Sequence, residues 1–160
     1  MTPTTRLSLA ADDWTAFRRI RLRALADAPD AFGATVAQAA AQPDETWQER
    51  AAGPGRILLA LEDGEPLAMG GAYAPEGAHE AMIWGMWTAP EARGRGHAQR
   101  ILAELVAWCR ERGLDVLLHV TDGNDAARRL YRRHGFEPVG EWSPLRPGSD
   151  LRVETLRLAR

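Results

Sequence analysis

The sequence predicts a mixed α/β domain, and three observations support this prediction. Helical and strand periodicities both occur along the chain. Two apolar runs flank Asp63-Gly64, a dipeptide typical of an antiparallel hairpin. A strand–helix–strand unit follows in the second half. With 160 residues, of which 45% are hydrophobic, the chain is long enough for one domain with its own core, expected over 1–160.

The first third of the chain is predicted to be helical. Residues 12–28 carry an apolar residue near every helical turn, and the helix is expected to end at Pro29. Residues 28–35 are predicted to form a loop. A second short helix is predicted over 43–52, stopped by the Gly-Pro-Gly of 53–55.

The middle of the chain is predicted to form three strands. Two flank the Asp63-Gly64 turn, and the third spans roughly 79–88. Gly85 lies inside this third strand, which indicates a β-bulge or a close approach of another backbone.

The second half alternates between helix and strand. The run 114–121 is nearly all apolar, so it is expected to be a strand buried on both faces. Asn124 and Gly135 are expected to cap the two ends of a short helix. The elements predicted here are a helix over 96–112, a strand over 114–121, a helix over 123–135 and strands over 136–142 and 151–158.

Composition and charge exclude several classes of function. The net charge of −2 gives no general attraction to nucleic acid or to an anionic membrane. All 20 basic residues are arginine, which excludes a Walker-type phosphate loop and a Schiff-base or general-base lysine. Cys109 is the only cysteine, no segment resembles a signal peptide or a membrane span, and no metal site is indicated. We expect a cytoplasmic protein with neither nucleic acid nor membrane as partner.

One glycine-rich segment has the features of an anion-binding loop. Arg93, Gly94, Arg95 and Gly96 lie between a predicted strand and a predicted helix. The first N–H groups of a helix have no partner within it, and glycine lets a phosphate approach the backbone. A solvated turn with surface arginines is the alternative. The flanking strand and helix favour the anion site.

A second motif follows about thirty residues later. Asn124, Ala127 and Tyr131 lie on one face of the short helix predicted over 123–135. Asn124 could be only a helix cap, and Tyr131 only a core aromatic. The helix also carries pairs of like charge at i,i+4 spacing, which a nearby polyanion would relieve. They are formed by Arg128, Arg129, Arg132 and Arg133.

Together the two motifs resemble the GCN5-related N-acetyltransferase (GNAT) family. "MWTAPEARGRGHA" is similar to its acetyl-CoA loop, Q/R-x-x-G-x-G/A, at Arg93, Gly96 and Ala98. "NDAARRLYRRHGF" is similar to a second family pattern at Asn124, Ala127, Leu130, Tyr131, Gly135 and Phe136. The resemblance implies a twisted, mainly antiparallel sheet with two splayed middle strands and flanking helices. It also implies direct acetyl transfer from acetyl-CoA to a primary amine of a small molecule or a peptide.

The resemblance further implies where acetyl-CoA would bind. Its diphosphate would contact backbone N–H groups of 94–98, its pantetheine arm would pair with the strand at 86–88, and Asn124 would hold the arm from the other side. A backbone N–H in this part of the strand would face the carbonyl oxygen of the acetyl group. The residues expected to bind the cofactor are Met86, Trp87, Thr88, Arg93, Gly94, Arg95, Gly96, His97, Ala98, Asn124, Ala127, Tyr131 and Arg133.

The catalytic assignment departs from the family pattern at one position. Tyr131 is the expected proton donor to the leaving thiolate. The family often carries a glutamate base where this chain has Met82. Glu80, on the same strand face, and His119, on the neighbouring strand, are the candidate bases. A water chain to solvent would need neither, and both residues could be purely structural.

The acceptor site is the least defined by the sequence. Phe32, Trp84 and the loop 143–150 are candidates for lining it, although the two aromatic residues could instead belong to the core. A small amine and a protein N-terminus or lysine stay open as acceptors, and a homodimer is possible. The alternative functions are an acyl-CoA-binding module without catalysis, and a nucleic-acid-binding domain that the balanced charge disfavours.

Overall fold

Seven strands form one sheet, in the order β1-β2-β3-β4-β5-β7-β6, in the computed structural model, which describes residues 5–160. Neighbouring strands are antiparallel except for the parallel pair β4–β5, so the expected mixed and mainly antiparallel sheet is confirmed. The strands are β1 (Thr5–Leu9), β2 (Arg56–Glu62), β3 (Glu65–Tyr73), β4 (Glu80–Thr88), β5 (Asp115–Thr121), β6 (Phe136–Pro144) and β7 (Arg152–Leu158). The helices are α1 (Trp14–Asp27), α2 (Val36–Ala40), α3 (Asp44–Ala52), α4 (His97–Glu111) and α5 (Asp125–Arg133).

The predicted hairpin joins β2 to β3. Asp63 and Gly64 both have positive φ, 52° and 81°, as a type I′ turn requires. The two flanking residues, Glu62 and Glu65, face each other across the strands. This tight turn sets the pairing of β2 with β3 next to it, up to a register shift between Ala60 and Leu61.

The bulge expected at Gly85 is confirmed. Met69 pairs with Trp87 and Gly71 pairs with Trp84, so two residues of β4 lie opposite one residue of β3. Gly85 has a φ of 67°, which favours glycine. The extra residue shifts the alternation of side chains, so that Trp84 and Trp87 both pack toward the face that α1 covers.

The middle strands splay apart, as the sequence led us to expect. Parallel pairing between β4 and β5 runs only from Glu80 opposite Asp115 to Ile83 opposite Leu118. Beyond these four pairs both strands continue without facing each other. A wedge therefore opens in the middle of the sheet, above the bulge.

The core has two layers, one on each face of the sheet. On one face, α4 packs through side chains such as Ile101, Leu102 and Leu105. On the other face, α1 and α3 contribute Phe17 and Trp47, whose rings meet edge to face at 5.4 Å. No helix in the described part of the chain is long and apolar enough to cross a membrane.

Strand β5 differs from its prediction, since it is buried on one face only. Val116, Leu118 and Val120 are buried, whereas His119 is exposed and Leu117 is half-buried. Helices α4 and α5 cover the first face, while the second borders an open cavity. One face of this apolar strand therefore packs in the core, and the other face borders a cavity.

Two elements lie where no strand or helix was predicted. Strand β1 pairs antiparallel with β2 at the edge of the sheet. Helix α2 begins at a capping box, in which Thr35 and Gln38 each bond the backbone of the other.

Candidate functional site

A cleft of about 610 Å³ lies where β4 has separated from β5, between the end of β4 and helix α5. We call it the wedge cleft. The end of β4, the loop before α4 and the inner face of α5 form its walls. Every residue expected to bind the cofactor lines it except Arg95. Those lining residues are Met86, Trp87, Thr88, Arg93, Gly94, Gly96, His97, Ala98, Asn124, Ala127, Tyr131 and Arg133.

The two arginines of the loop pair with acidic residues of the protein. Arg95 lies outside the wedge cleft, and its Nη1 is 2.9 Å from a carboxylate oxygen of Glu62. Arg93 donates from Nε to the Thr88 carbonyl at 3.1 Å and from Nη2 to Asp27 at 3.2 Å. The capacity of this loop to hold an anion therefore rests mainly on its backbone.

The backbone of this loop is shaped to present N–H groups. Gly94 and Gly96 have φ values of 81° and 83°, and Gly96 caps α4 without any side-chain hydrogen bond. The first-turn amides of α4 consequently have no partner in the helix. Both ring nitrogens of His97 are buried without a hydrogen-bond partner. Free donors at a helix N-terminus fit the diphosphate of the cofactor that the sequence led us to expect.

The pKa of His97 is lowered, which favours the neutral imidazole. Burial is the largest cause of its lowered pKa, and the positive charges of Arg95 and Arg100 add to it. A neutral imidazole keeps one N–H donor and one acceptor nitrogen beside the wedge cleft.

Helix α5 forms the opposite wall of the wedge cleft. The Asn124 side chain accepts a hydrogen bond from the Ala127 N–H at 3.4 Å, which makes it the helix cap. The Tyr131 ring is buried and packs edge to face on Phe136. Burial raises the pKa of Tyr131 well above its ordinary value, so the phenol keeps its proton.

A small cavity shares lining residues both with the wedge cleft and with a second cavity. We call this small cavity of about 60 Å³ the neck; Gly85, Met86, His119 and Tyr131 are among the residues that line it. It therefore places the bulge of β4, a protonated phenol and an imidazole around one point.

Beyond the neck lies a cavity of about 310 Å³, which we call the aromatic cavity. Phe32 and Trp84 line it, as do residues 143–145 of the loop that was expected to take part. Met82 and His119 complete the wall along β4 and β5. Both predicted acceptor-site aromatics thus border the same cavity.

The segment that covers the aromatic cavity is fixed by an arginine that sequence reasoning missed. Arg146 donates hydrogen bonds to the carbonyls of Pro29, Phe32 and Gly33 at 2.7, 2.8 and 3.3 Å. The Thr121 hydroxyl donates to the Asp30 carbonyl at 2.7 Å. An arginine in a loop gives no sequence signal for such backbone contacts.

The two candidate bases lie in different places. His119 lines both the neck and the aromatic cavity. Glu80 forms an ion pair with Arg157 at the start of β4 and lines neither of them. The structure therefore brings His119, and not Glu80, next to Tyr131.

Arg21 is a further polar residue that sequence reasoning missed. It lies on α1, lines the aromatic cavity and is 6% exposed. A signal was present, because Arg21 stands four residues after Phe17 on the apolar face of the predicted helix.

Comparison with known proteins agrees with this geometry. Residues 15–136 match the family model described as "Acetyltransferase (GNAT) family". The chain is 33% identical over 141 residues to a mycothiol acetyltransferase of Cellulomonas flavigena, covering 82% of this chain and 39% of the relative. It is 34% identical over 140 residues to the Salinispora tropica protein of the same name, covering 83% and 43%. The chain thus spans about two fifths of the length of these curated relatives.

A solved structure shares the fold over nearly its full length. The acetyltransferase of the GNAT family from Streptococcus pneumoniae superposes with a TM-score of 0.82 at 18% identity. The match covers 96% of this chain and 98% of that chain. The two chains therefore have the same arrangement of strands and helices.

Proposed function

The chain belongs to the acetyltransferase (GNAT) family, and from this premise we propose that it transfers an acetyl group from acetyl-CoA to the primary amine of a small molecule. Membership of the family agrees with the expectation drawn from the two sequence motifs. The proposal adds the site, the roles of its residues and the class of acceptor.

One observation carries the proposal: the neck shares lining residues with both the wedge cleft and the aromatic cavity. A donor in the wedge cleft and an acceptor in the aromatic cavity would touch only there, beside Gly85, His119 and Tyr131. Holding two reactants in contact supplies a large part of the rate enhancement of a group-transfer enzyme.

The residues around the neck have distinct proposed roles. Acetyl-CoA, when bound, supplies an acetyl group activated as a thioester. Backbone N–H groups near the bulge would stabilise the negative charge that develops on the acetyl oxygen. Tyr131, which stays protonated, would donate its proton to the sulfur that leaves. His119 would accept the proton of the amine, directly or through a water molecule.

The acceptor is proposed to be a small molecule because the aromatic cavity is small and one of its walls is held in place by hydrogen bonds. Arg146 fixes the backbone of Pro29, Phe32 and Gly33, and this segment forms one wall of the cavity. A cavity of about 310 Å³ is at the lower end of the range for small-ligand sites. The names of the curated relatives also denote acetyltransferases of a small molecule.

The test is a thiol-release assay with the purified protein, acetyl-CoA and a panel of primary amines. We expect amine-dependent release of coenzyme A thiol with at least one small amine. Acetyl-CoA alone should raise the melting temperature, because it binds the folded state. Cofactor binding without thiol release for any amine class would support the alternative of a non-catalytic acyl-CoA-binding module. Release with peptides and with no small amine would refute the class of acceptor proposed here.

A further inference from the structure

Arg21 is a buried cation that forms no ion pair with any of the residues that the structure describes. It is 6% exposed, and its Nη1 has no hydrogen-bond partner. None of the ion pairs formed by residues 5–160 includes it. A buried guanidinium that lacks a counter-charge is strongly unfavourable. Its burial without a counter-charge therefore indicates a role other than stabilising the fold.

Aromatic rings hold the guanidinium in place but do not satisfy its N–H groups. Its Cζ lies 5.0 Å from the ring centroid of Phe32 and 5.3 Å from that of Trp84. Cation–π contacts of this kind use the face of the guanidinium. The N–H groups in its plane stay available to a planar, bidentate acceptor such as a carboxylate.

The charges around Arg21 are positive. Burial, and then repulsion from Arg50, lower the pKa of Arg21 to about 10. The Cζ of Arg50 lies 5.5 Å from the Trp84 ring centroid. No aspartate or glutamate lies among the described residues that line the aromatic cavity. The cavity thus offers an unneutralised positive charge to whatever enters it.

The position of Arg21 determines how far a bound anionic group lies from the amine that reacts. A Cβ built on Gly85 would lie 3.5 Å from Arg21 Nη1. Gly85 is the bulge residue that borders both the neck and the aromatic cavity. An anion held by Arg21 is therefore next to the point where the donor and the acceptor meet.

We propose that the acceptor is an amino carboxylate, whose carboxylate binds the Arg21 guanidinium while its nearby amine enters the neck. This inference rests on the proposed function and names its substrate class. The carboxylate of the acceptor neutralises the charge of Arg21 when it binds. A cationic amine without a carboxylate leaves this charge unpaired and is therefore disfavoured. The amine must shed a proton before it attacks, and the adjacent Arg21 favours its neutral form.

The first arm of the test measures binding and needs no turnover. Isothermal titration calorimetry of the unaltered protein measures the binding of L-amino acids and of the corresponding amino acid amides. We expect saturable binding of at least one amino acid and about 100-fold weaker binding of its amide, as for loss of one buried charged partner. Equal binding of the acid and the amide, or no binding of any amino acid, would overturn the proposal.

The second arm uses variants of Arg21 and compares acceptors. Arg21→Met should reduce kcat/KM for the amino acid about 100-fold and leave kcat/KM for its amide within threefold. Its melting temperature should equal or exceed that of the wild type, because an unpaired buried charge is replaced by an apolar side chain. Arg19→Met, an exposed position on the same helix, is the matched control and should change neither value.

The outcomes separate this inference from the function on which it rests. If amines are acetylated with no preference for a carboxylate, the acetyltransferase stands and the inference fails. If amino acids bind through Arg21 but no thiol is released with any amine, the carboxylate site at Arg21 stands as a binding site, and the proposed function fails together with the assignment of the amino acid as acceptor. If Arg21→Met lowers the melting temperature and reduces turnover of acid and amide alike, Arg21 has a structural role and the inference fails.

Discussion

Gly71 lies directly against the indole of Trp84, its partner across strands β3 and β4. A Cβ built at Gly71 would lie 2.5 Å from Cε2 and 2.6 Å from Nε1 of Trp84. No side chain other than hydrogen fits between the strand and the ring. The absence of a side chain at Gly71 therefore sets the position of one wall of the aromatic cavity.

The first prediction concerns this contact. Gly71→Ala should displace the Trp84 ring, lower stability by about 1–3 kcal/mol and reduce activity, because the clash deforms the cavity. In combination with Trp84→Phe, the loss of stability caused by Gly71→Ala should be smaller, since the smaller ring leaves room for the methyl group. Thermal melting and kcat/KM of the four proteins in this cycle provide the measurement. Additive effects of the two substitutions would show that the residues do not interact.

The second prediction tests the role of the phenol at the neck. Tyr131→Phe should lower kcat about 100-fold or more and leave the Kd for acetyl-CoA nearly unchanged, since only the proton donor is removed. Tyr73→Phe is the control, because this exposed tyrosine lies outside the wedge cleft. An unchanged kcat would exclude Tyr131 as the donor.

The raised pKa of Tyr131 sets the pH dependence of the same step. The donor is the neutral phenol, which is lost only as the pH rises through its folded pKa. Because burial places this pKa above the ordinary value of about 10, ionisation of Tyr131 should not reduce kcat below about pH 10. The measurement is a kcat profile from pH 6 to about pH 10, in the wild type and in Tyr131→Phe.

The third prediction concerns the carboxylate that anchors the loop before α4. Asp27 accepts hydrogen bonds from Trp87 Nε1 at 3.0 Å and from Arg93 Nη2 at 3.2 Å. Asp27→Ala should lower stability by about 1–2 kcal/mol, because it leaves the indole N–H of the buried Trp87 unpaired. It should also raise the Kd for acetyl-CoA several-fold, since residues 93–98 lose an anchor.

The control for Asp27 is another acidic residue near the same loop. Glu91 pairs with Arg23 at 2.7 Å, and both side chains are about half exposed. Glu91→Ala should have little effect on melting or on cofactor binding, because exposed ion pairs add little. Equal effects of the two substitutions would show that Asp27 has no special part in holding the loop.

The fourth prediction concerns the start of α1. The Asp13 side chain accepts a hydrogen bond from the Ala16 N–H at 3.0 Å, which lowers the pKa of its carboxyl. Asp13→Ala should therefore cost about 1 kcal/mol at pH 7. A lowered folded pKa gives stability that is present above the unfolded value of about 3.9 and is lost as the pH falls through the folded value.

The measurement for Asp13 is urea unfolding at several pH values. The difference between the wild type and Asp13→Ala should be constant from pH 7 to about pH 5 and should shrink below about pH 4. Asp12→Ala, at the neighbouring exposed position, is the control and should not show this pH dependence. A difference that persists unchanged at pH 2 would contradict the assignment of Asp13 as an ionised cap.

The elements that could be predicted from the sequence are those marked by a residue within the element itself. The Asp63-Gly64 turn, the Gly85 bulge and the Asn124 cap each depend on the conformational preference of a residue at its own position. Strand β1 has no such mark, because it is short and its place in the sheet is decided by pairing with β2. Helix α2 carried a capping-box signal at Thr35, but its five residues span little more than one turn.

In the candidate site, too, the residues with a local sequence signal could be predicted and the others could not. Most residues of the wedge cleft belong to two sequence motifs and could be named in advance, whereas Ala28, Ala31 and Phe32 lie outside both motifs. The partners of Arg95 and Arg93 could not be named, because Glu62 and Asp27 belong to distant segments. Arg21 had a weak signal in its position four residues after Phe17 on the apolar face of the helix, but an arginine within a helix is common, and only its burial beside Phe32 and Trp84 shows that it is unusual.

The splayed strands also have a mechanical consequence. Between β4 and β5 the sheet has four residue pairs, the fewest of any pair of neighbouring strands in the described chain. Strands β1–β4 and strands β5–β7 are thus joined by the shortest stretch of strand pairing in the described chain. A ligand in the wedge cleft would contact both the end of β4 and helix α5, and would so link the two halves of the sheet where the strands no longer pair.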